Sequence, residues 1–135
     1  MDVLFLGTAA AEGYPGIFCR CRSCLRAKGE GGRSIRRRSA ILIDGDLLID
    51  LPPDLYWSAI SYNVNLTNLH SLLITHSHVD HLNPQILEFR KRPYALTPLP
   101  TLTLFCDGAI IPLVEGPVGR VEEARLRLRS VRPYR

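Results

Sequence analysis

Residues 75–81 constrain this chain more than any other part of its sequence. They hold three of the four histidines and a carboxylate: His76, His78, Asp80 and His81. They directly follow the apolar run 72–74, which is typical of a buried strand. Imidazole and carboxylate are ligands that borderline divalent metals prefer. The pattern therefore predicts a strand that ends at a metal site, and the alternative is a polar turn with solvated histidines.

The spacing within this motif indicates two ions. His76 and His78 are two residues apart, so in an extended segment they point the same way and can bind one ion. Asp80 and His81 follow where the chain is expected to turn into a helix, and they can serve a second ion. Two ions about 3.5–4 Å apart can clamp both oxygens of a displacement at phosphorus. Asp80 is the predicted catalytic residue, because its carboxylate can bind metal, orient hydroxide and then shuttle a proton.

The run H-x-H-x-D-H after an apolar strand resembles the signature of the metallo-β-lactamase superfamily. The resemblance implies an α/β (α+β) fold, the four-layer αββα sandwich, and a hydrolase with dinuclear zinc, manganese or iron. It also implies a role for Asp50, which ends the strand-like run 47–50: the family places such an aspartate beside the metals, where it orients their ligands. The alternative for Asp50 is an ordinary aspartate at a strand end.

Three cysteines, Cys19, Cys21 and Cys24, have the spacing C-x-C-x-x-C. The first residues are too short an apolar stretch for a signal peptide, so we expect a cytoplasmic setting, where clustered thiols indicate metal or redox chemistry. Three thiolates make most of a tetrahedral structural zinc site. Cys106 is a candidate fourth ligand by count, but it ends an alternating run and is interpreted as a buried strand thiol.

The cysteines, the opening Gly7-Thr8 and the run 36–39 together resemble the phosphodiesterase branch of the superfamily. They are similar in particular to the phosphoribosyl 1,2-cyclic phosphate phosphodiesterases. That resemblance implies a dinuclear zinc or manganese site and a separate structural zinc held by the cysteines. The tRNA 3′-processing endonucleases, which share Gly-Thr-rich openings, lie near the same branch.

Length indicates that only part of this fold is present. The chain has 135 residues, enough for one ordinary domain, whereas the superfamily sandwich usually needs nearly twice as many. The family's later metal ligands are absent: no histidine follows His81, and Asp107, the only later aspartate, does not match. We expect residues 1–135 to form the amino-terminal half of one domain, a mixed sheet with helices on one face and a cysteine-rich loop at 13–38.

A half of this fold has consequences for partners. Two sheets pack face to face in the complete sandwich, so a half leaves the inner face of one sheet bare. A large exposed apolar patch is rare in a soluble protein. We therefore predict a homo-oligomer or association with a missing second half, and weak metal binding until a second polypeptide completes the site.

Periodicity and turn signals predict the elements of the chain. No apolar stretch approaches the roughly 20 residues of a membrane span. The predicted strands are 3–6, 39–44, 47–50, 72–75, 101–105 and 124–131, and the predicted helices are 24–28, 55–62, 83–91 and 117–123.

The charge favours anionic partners, since the net charge is +4 and the sequence pI is near 9.1. Arg36, Arg37 and Arg38 can pair with substrate phosphate, and the alternative is a solvated loop or arginines bonded to backbone carbonyls. The chain lacks the interleaved aromatic residues of single-strand binders, so nucleic acid is the less favoured partner.

These inferences favour a metal-dependent phosphodiesterase that uses metal-bound hydroxide on a small cyclic phosphate ester. One alternative is an RNA-processing endonuclease of the same superfamily. The other is a non-catalytic truncated subunit that lacks the later ligands, so whether the isolated chain is an enzyme stays open.

Overall fold

The structure is a computed structural model that describes residues 1–132, so the last three residues of the predicted domain lie outside it. A six-stranded mixed sheet, in which the strand order follows the chain order, organises the molecule. Its strands are β1 (Val3–Gly7), β2 (Ala40–Ile43), β3 (Leu47–Ile49), β4 (Ser71–Leu73), β5 (Leu102–Cys106) and β6 (Leu126–Ser130). The α-helices are α1 (Arg22–Glu30), α2 (Leu55–Ser61), α3 (Gln85–Glu88) and α4 (Ile111–Val118). Short 3-10 helices lie at Gly32–Ser34, Leu66–Asn68 and Gly108–Ile110.

The sheet changes from antiparallel to parallel at β3. Strands β1, β2 and β3 are antiparallel neighbours, whereas β3, β4, β5 and β6 are parallel. Asp44 and Gly45 join β2 to β3 with φ angles of 50° and 70°, the left-handed pair that a tight hairpin turn requires. Because parallel strands end at the same edge, the residues after β3 and after β4 meet there.

One face of the sheet carries the hydrophobic core. Leu42, Leu48, Leu72 and Leu104 pair across β2 to β5 and are all buried, with 5% or less of each residue exposed. Helices α2, α3 and α4 pack apolar side chains into the same cluster. Each such leucine contributes about 1.5–3 kcal/mol through burial. The predicted mixed sheet with helices packed on one face is confirmed for β2 to β5.

The opposite face of the sheet is apolar and open. Phe5, Ile41, Ile49, Leu73 and Phe105 pair in one row across β1 to β5. Phe5 is 55% exposed, and the other four are only half-buried. Among the described residues, this face therefore carries an apolar row that is only partly covered, and its most exposed member is Phe5.

The helix predicted at 117–123 is wrong. Helix α4 begins earlier, with Pro112 in its first turn, where the missing N–H costs nothing. It ends at Gly119, whose φ of 68° suits a helix terminus. The helix predicted at 83–91 is confirmed only over Gln85–Glu88, and turns follow it.

The predicted strands are confirmed to within two residues at each end. The helix predicted at 24–28 extends over Arg22–Glu30. No helix within residues 1–132 is long and apolar enough to cross a membrane.

Candidate metal centre

The histidine motif lies at the carboxyl edge of the parallel strands, between β3 and β5. Backbone hydrogen bonds join the end of β4 to the strands on both sides of it. The N–H of Asp50 donates to Leu73 O at 2.8 Å, and the N–H of Ile74 donates to Phe105 O at 2.9 Å. The N–H of Leu51 donates to His81 O at 2.8 Å. The strand ends therefore bring Asp50 and residues 75–81 together.

The motif turns back on itself after His78. The carbonyl of His78 accepts hydrogen bonds from the N–H groups of His81 at 2.9 Å and Leu82 at 2.8 Å. This turn, rather than a helix, changes the direction of the chain between the pair His76 and His78 and the pair Asp80 and His81. It buries Asp80, of which 8% is exposed, while His76 and His78 remain exposed.

Three imidazole rings converge at this edge. The ring centroids of His76 and His81 are 4.0 Å apart, and those of His76 and His78 are 4.7 Å apart. The hydroxyl of Thr75 lies 3.0 Å from Nδ1 of His76, which leaves the outer nitrogen of that ring for another partner. Because His76 and His78 are exposed, a ligand from solvent can reach them.

The spacing of Asp80 and His81 fits two ligands of one ion. Oδ2 of Asp80 lies 3.2 Å from Nε2 of His81. Two ligand atoms about 2.0–2.1 Å from a tetrahedral zinc lie about 3.3 Å from each other. The donor set of imidazole and carboxylate also suits zinc and manganese.

The carboxylate of Asp50 contacts the Nδ1 nitrogen of the His81 ring. Its Oδ2 lies 2.7 Å from Nδ1 of His81, and its Oδ1 accepts from the N–H and the hydroxyl of Thr75, both at 2.8 Å. Asp50 is 4% exposed and has a φ of 65°, a left-handed conformation that only a few per cent of non-glycine residues adopt. A carboxylate on Nδ1 fixes the ring and leaves Nε2 for a metal.

The ligand atoms of the histidine motif do not form one complete metal site. Within residues 1–132, only Cys19, Cys21 and Cys24 bring three ligand atoms to within 4.8 Å of one another. A catalytic zinc normally has three protein ligands. In the histidine motif no three ligand atoms of the described residues lie this close together, so the motif by itself does not form such a site.

The cysteine cluster lies at the start of α1. The Sγ of Cys21 accepts from the N–H of Cys24 at 3.4 Å and caps the helix, while Lys28 Nζ donates to Ile17 O at 3.1 Å and Cys19 O at 3.0 Å. Four ligands at the zinc–sulfur distance of about 2.3 Å lie about 3.8 Å apart, so the three thiols fit one divalent ion. The backbone N–H of Cys24, followed by the neighbouring thiols, lowers the pKa of Cys21.

Cys106 is separate from this cluster. It lies in β5, is fully buried, and belongs to the hydrophobic core. Burial, and then the charge of Asp107, raises the pKa of its thiol. The interpretation of Cys106 as a buried strand thiol is confirmed.

The arginine run 36–38 does not act as a unit. Arg38 forms an ion pair with Asp54 at 3.3 Å and donates from Nε to Ala11 O at 2.8 Å, which matches the alternative of arginines bonded to backbone. Arg37 donates to Ser61 Oγ at 2.9 Å.

Thr75 was not predicted from the sequence, although it bonds to both Asp50 and His76. Its position directly before His76 could have indicated that it belongs to the site.

Comparisons with known proteins identify the fold. No protein-family model matches the sequence, and no curated protein matches it. Among solved structures, Zn²⁺-bound PqqB from Methylobacterium extorquens has a TM-score of 0.74 and 26% identity, covering 98% of this chain and 50% of PqqB. A diphosphatase from the PhnP family has a TM-score of 0.72 and 22% identity, covering 96% of this chain and 50% of its own.

Human tRNase Z, short form, has a TM-score of 0.66 and 19% identity. The match covers 99% of this chain and 47% of the tRNase Z chain. The chain thus spans about half the length of each structure. All three structures are members of the metallo-β-lactamase superfamily.

Proposed function

We propose that this chain, which has half of the metallo-β-lactamase fold, carries the first metal motif of a metal-dependent phosphodiesterase. The observation that carries the proposal is the convergence of His76, His78 and His81 at the edge where two parallel strands end. Packing does not explain this convergence, because two of the rings are exposed.

The motif would hold two divalent ions, zinc or manganese. His76 and His78 would bind one ion, and Asp80 and His81 would bind the other. Asp50 would orient His81 without binding metal, because its oxygens are occupied by Thr75 and His81. Bound ions would supply Lewis acidity and bring the pKa of a water molecule towards neutrality.

Asp80 is the proposed catalytic residue. Its carboxylate is largely shielded from water, and one of its oxygens lies 3.2 Å from His81. An ionised carboxylate only accepts hydrogen bonds, so Asp80 would orient the attacking water. It would then take a proton from that water and pass it to the leaving oxygen.

A small cyclic phosphate ester is the substrate class that we favour. The similarity to a diphosphatase from the PhnP family supports a small phosphate compound. An RNA-processing endonuclease is the second candidate, and the similarity to human tRNase Z supports it.

The open sheet face supports a partner for this half. The apolar row from Phe5 to Phe105 would be covered by a second half of the sandwich or by a second copy of this chain. The partner would also add ligands to the histidine motif. Residues 1–135 are therefore proposed as half of one domain, and without the partner the chain would be a non-catalytic subunit.

The cysteine cluster is proposed as a separate structural zinc site. Cys19, Cys21 and Cys24 would supply three thiolates to one ion, and a fourth ligand would come from the partner or from water. This ion would fix the part of the cysteine-rich loop that precedes α1 against the start of that helix.

Metal analysis combined with an assay for hydrolysis tests the proposal. For the chain associated with its partner, we expect bound zinc or manganese by mass spectrometry and metal-dependent hydrolysis of bis(p-nitrophenyl) phosphate. His78→Ala should abolish the activity, whereas Ser77→Ala, at the exposed position between the two histidines, should keep it. Unchanged turnover in His78→Ala would refute the site, and a folded, metal-free, inactive oligomer would favour the non-catalytic alternative.

A further inference from the structure

A cleft of about 650 Å³ lies beside the end of β1, and no residue of the histidine motif lines it. One wall is Phe5 to Thr8, and the other is formed by residues 32–37 and the end of α2 at Ser61 and Tyr62. The proposed phosphodiesterase activity assigns no role to this cleft.

The wall at 32–37 belongs to the most basic part of the chain. Eight of the 17 basic residues, but only one of the 13 acidic residues, lie between Arg20 and Arg38. Arg33 and Arg36 line the cleft and are exposed. Within residues 1–132, neither has a carboxylate within salt-bridge distance. Their charges are therefore available to an anion.

Aromatic side chains lie beside these charges. The guanidinium of Arg37 lies 6.0 Å from the ring centroid of Trp57 and 5.6 Å from that of Tyr62. Trp57 is 58% exposed and Tyr62 is 48% exposed, so much of each ring faces solvent. The Nε of Arg37 is buried and has no hydrogen-bond partner among the described residues. The fold thus places one cation beside two partly exposed aromatic rings.

We propose that this cleft binds single-stranded nucleic acid. Proteins that bind single strands combine a basic groove that follows the phosphates with aromatic or arginine planes on which bases stack. Arg33 and Arg36 would contact phosphates, and Tyr62 in the cleft wall would stack with a base. Trp57, which lies outside the lining but beside Arg37, would stack with a neighbouring base. A basic surface alone would suit any polyanion, so the exposed rings are the observation that favours nucleic acid.

The position of the cleft relates it to the metal motif. Gly7 pairs with Ala40, one step beyond the pair of Ile41 and Ile49. Thr8 and Asp50 therefore lie at the same edge of the sheet. A single strand of nucleic acid bound along the cleft would end at the edge of the sheet that carries the histidines. Binding needs no hydrolysis, so this inference goes beyond the proposed activity.

A binding experiment tests the proposal independently of catalysis. The His78→Ala protein would be titrated against a short fluorescent single-stranded RNA over a salt series, followed by anisotropy. Arg33→Ala and Arg36→Ala should each weaken binding severalfold and reduce the salt slope by about 0.7. Trp57→Ala should weaken RNA binding roughly tenfold, and Trp57→Phe should restore most of it.

Two controls make the result decisive. Arg120→Ala removes the same charge from an exposed site elsewhere and should leave binding almost unchanged. Inorganic polyphosphate should bind more weakly than RNA and should not respond to Trp57→Ala. The proposal is overturned if RNA does not bind, if Arg120→Ala weakens binding as much as Arg36→Ala, or if polyphosphate binds as tightly as RNA. Circular dichroism would confirm that each variant is folded.

Discussion

The buried carboxylate of Asp50 lies 2.7 Å from Nδ1 of His81, across the boundary between β3 and the loop that follows β4. A second pair has the same chemistry at the surface, where Asp46 Oδ1 lies 2.7 Å from Nδ1 of His70. The two pairs differ in burial: the side chain of Asp50 is 6% exposed and that of Asp46 is 55% exposed. Only the buried pair adjoins the metal motif, so the exposed pair serves as its control.

Asp50→Ala should weaken metal binding at the histidine motif by about 10- to 100-fold, because His81 loses the partner that fixes its ring. Competition with a chromophoric chelator would measure the affinity. Asp46→Ala should leave the affinity unchanged. Equal affinities for Asp50→Ala and the unmodified protein would contradict the orienting role of Asp50.

Cys24→Ser should remove one bound zinc and leave ions at the histidine motif in place, because the two groups occupy separate parts of the fold. Mass spectrometry of the purified variant would give the metal content. Cys106→Ala is the control, since Cys106 lies in the core, and it should keep the full metal content. Loss of zinc from Cys106→Ala would instead assign that thiol to the site.

In metal-free protein, Cys21 should react with iodoacetamide at lower pH than an ordinary thiol. The Cys24 N–H, followed by the thiols of Cys19 and Cys24, lowers the pKa of Cys21, so its thiolate persists as the pH falls. Burial raises the pKa of Cys106, which should stay unreactive until the protein unfolds. Peptide mass mapping against pH would separate the two thiols. A Cys21 profile that matches a free thiol would refute the prediction.

Gly7→Ala should destabilise the fold by about 1–3 kcal/mol through overpacking. A Cβ at Gly7 would overlap the carbonyl oxygen of Arg38 and lie 2.7 Å from that of Arg37, and both are backbone atoms. Gly29→Ala is the matched control: it lies in α1 with no atom within 4 Å, so it should stabilise by about 0.5–1 kcal/mol. Urea unfolding would measure both, and a neutral Gly7→Ala would show that the contact can relax.

Phe5→Ser should reduce self-association if the open sheet face is the contact surface, because Phe5 is 55% exposed at one end of its apolar row. Leu25→Ser is a control of similar exposure, 54%, on α1. Sedimentation velocity would give the oligomeric state. If both variants associate like the unmodified chain, the open face is not the contact between copies.

Local patterns predicted much of the fold. The alternation at 101–105 and 124–131 identified two strands. Helix α4 was missed because both Pro112 and Pro117 can begin a helix. Packing of Val114 and Val118 in the core selects the start at Pro112. Short elements such as α3 depend on packing more than on propensity.

The candidate metal centre was predictable where its residues are close in sequence. His76, His78, Asp80 and His81 form one short motif. The association of Arg37 with Trp57 and Tyr62 was not predictable, because at least 20 residues separate them and only the fold brings them together. No aromatic residue is interleaved with the arginines at 36–38 in the sequence, but the fold places Trp57 and Tyr62 beside Arg37.

The hydrogen bonds of Asp50 to Thr75 and His81 have a consequence for assembly. They join the segments that follow β3 and β4, so residues of this chain alone orient the ring of His81. A complementing chain would bind beside a His81 ring that is already oriented. The entropy lost on binding would therefore come mainly from ordering the complementing chain. We therefore expect that the site can be reconstituted from two separate pieces.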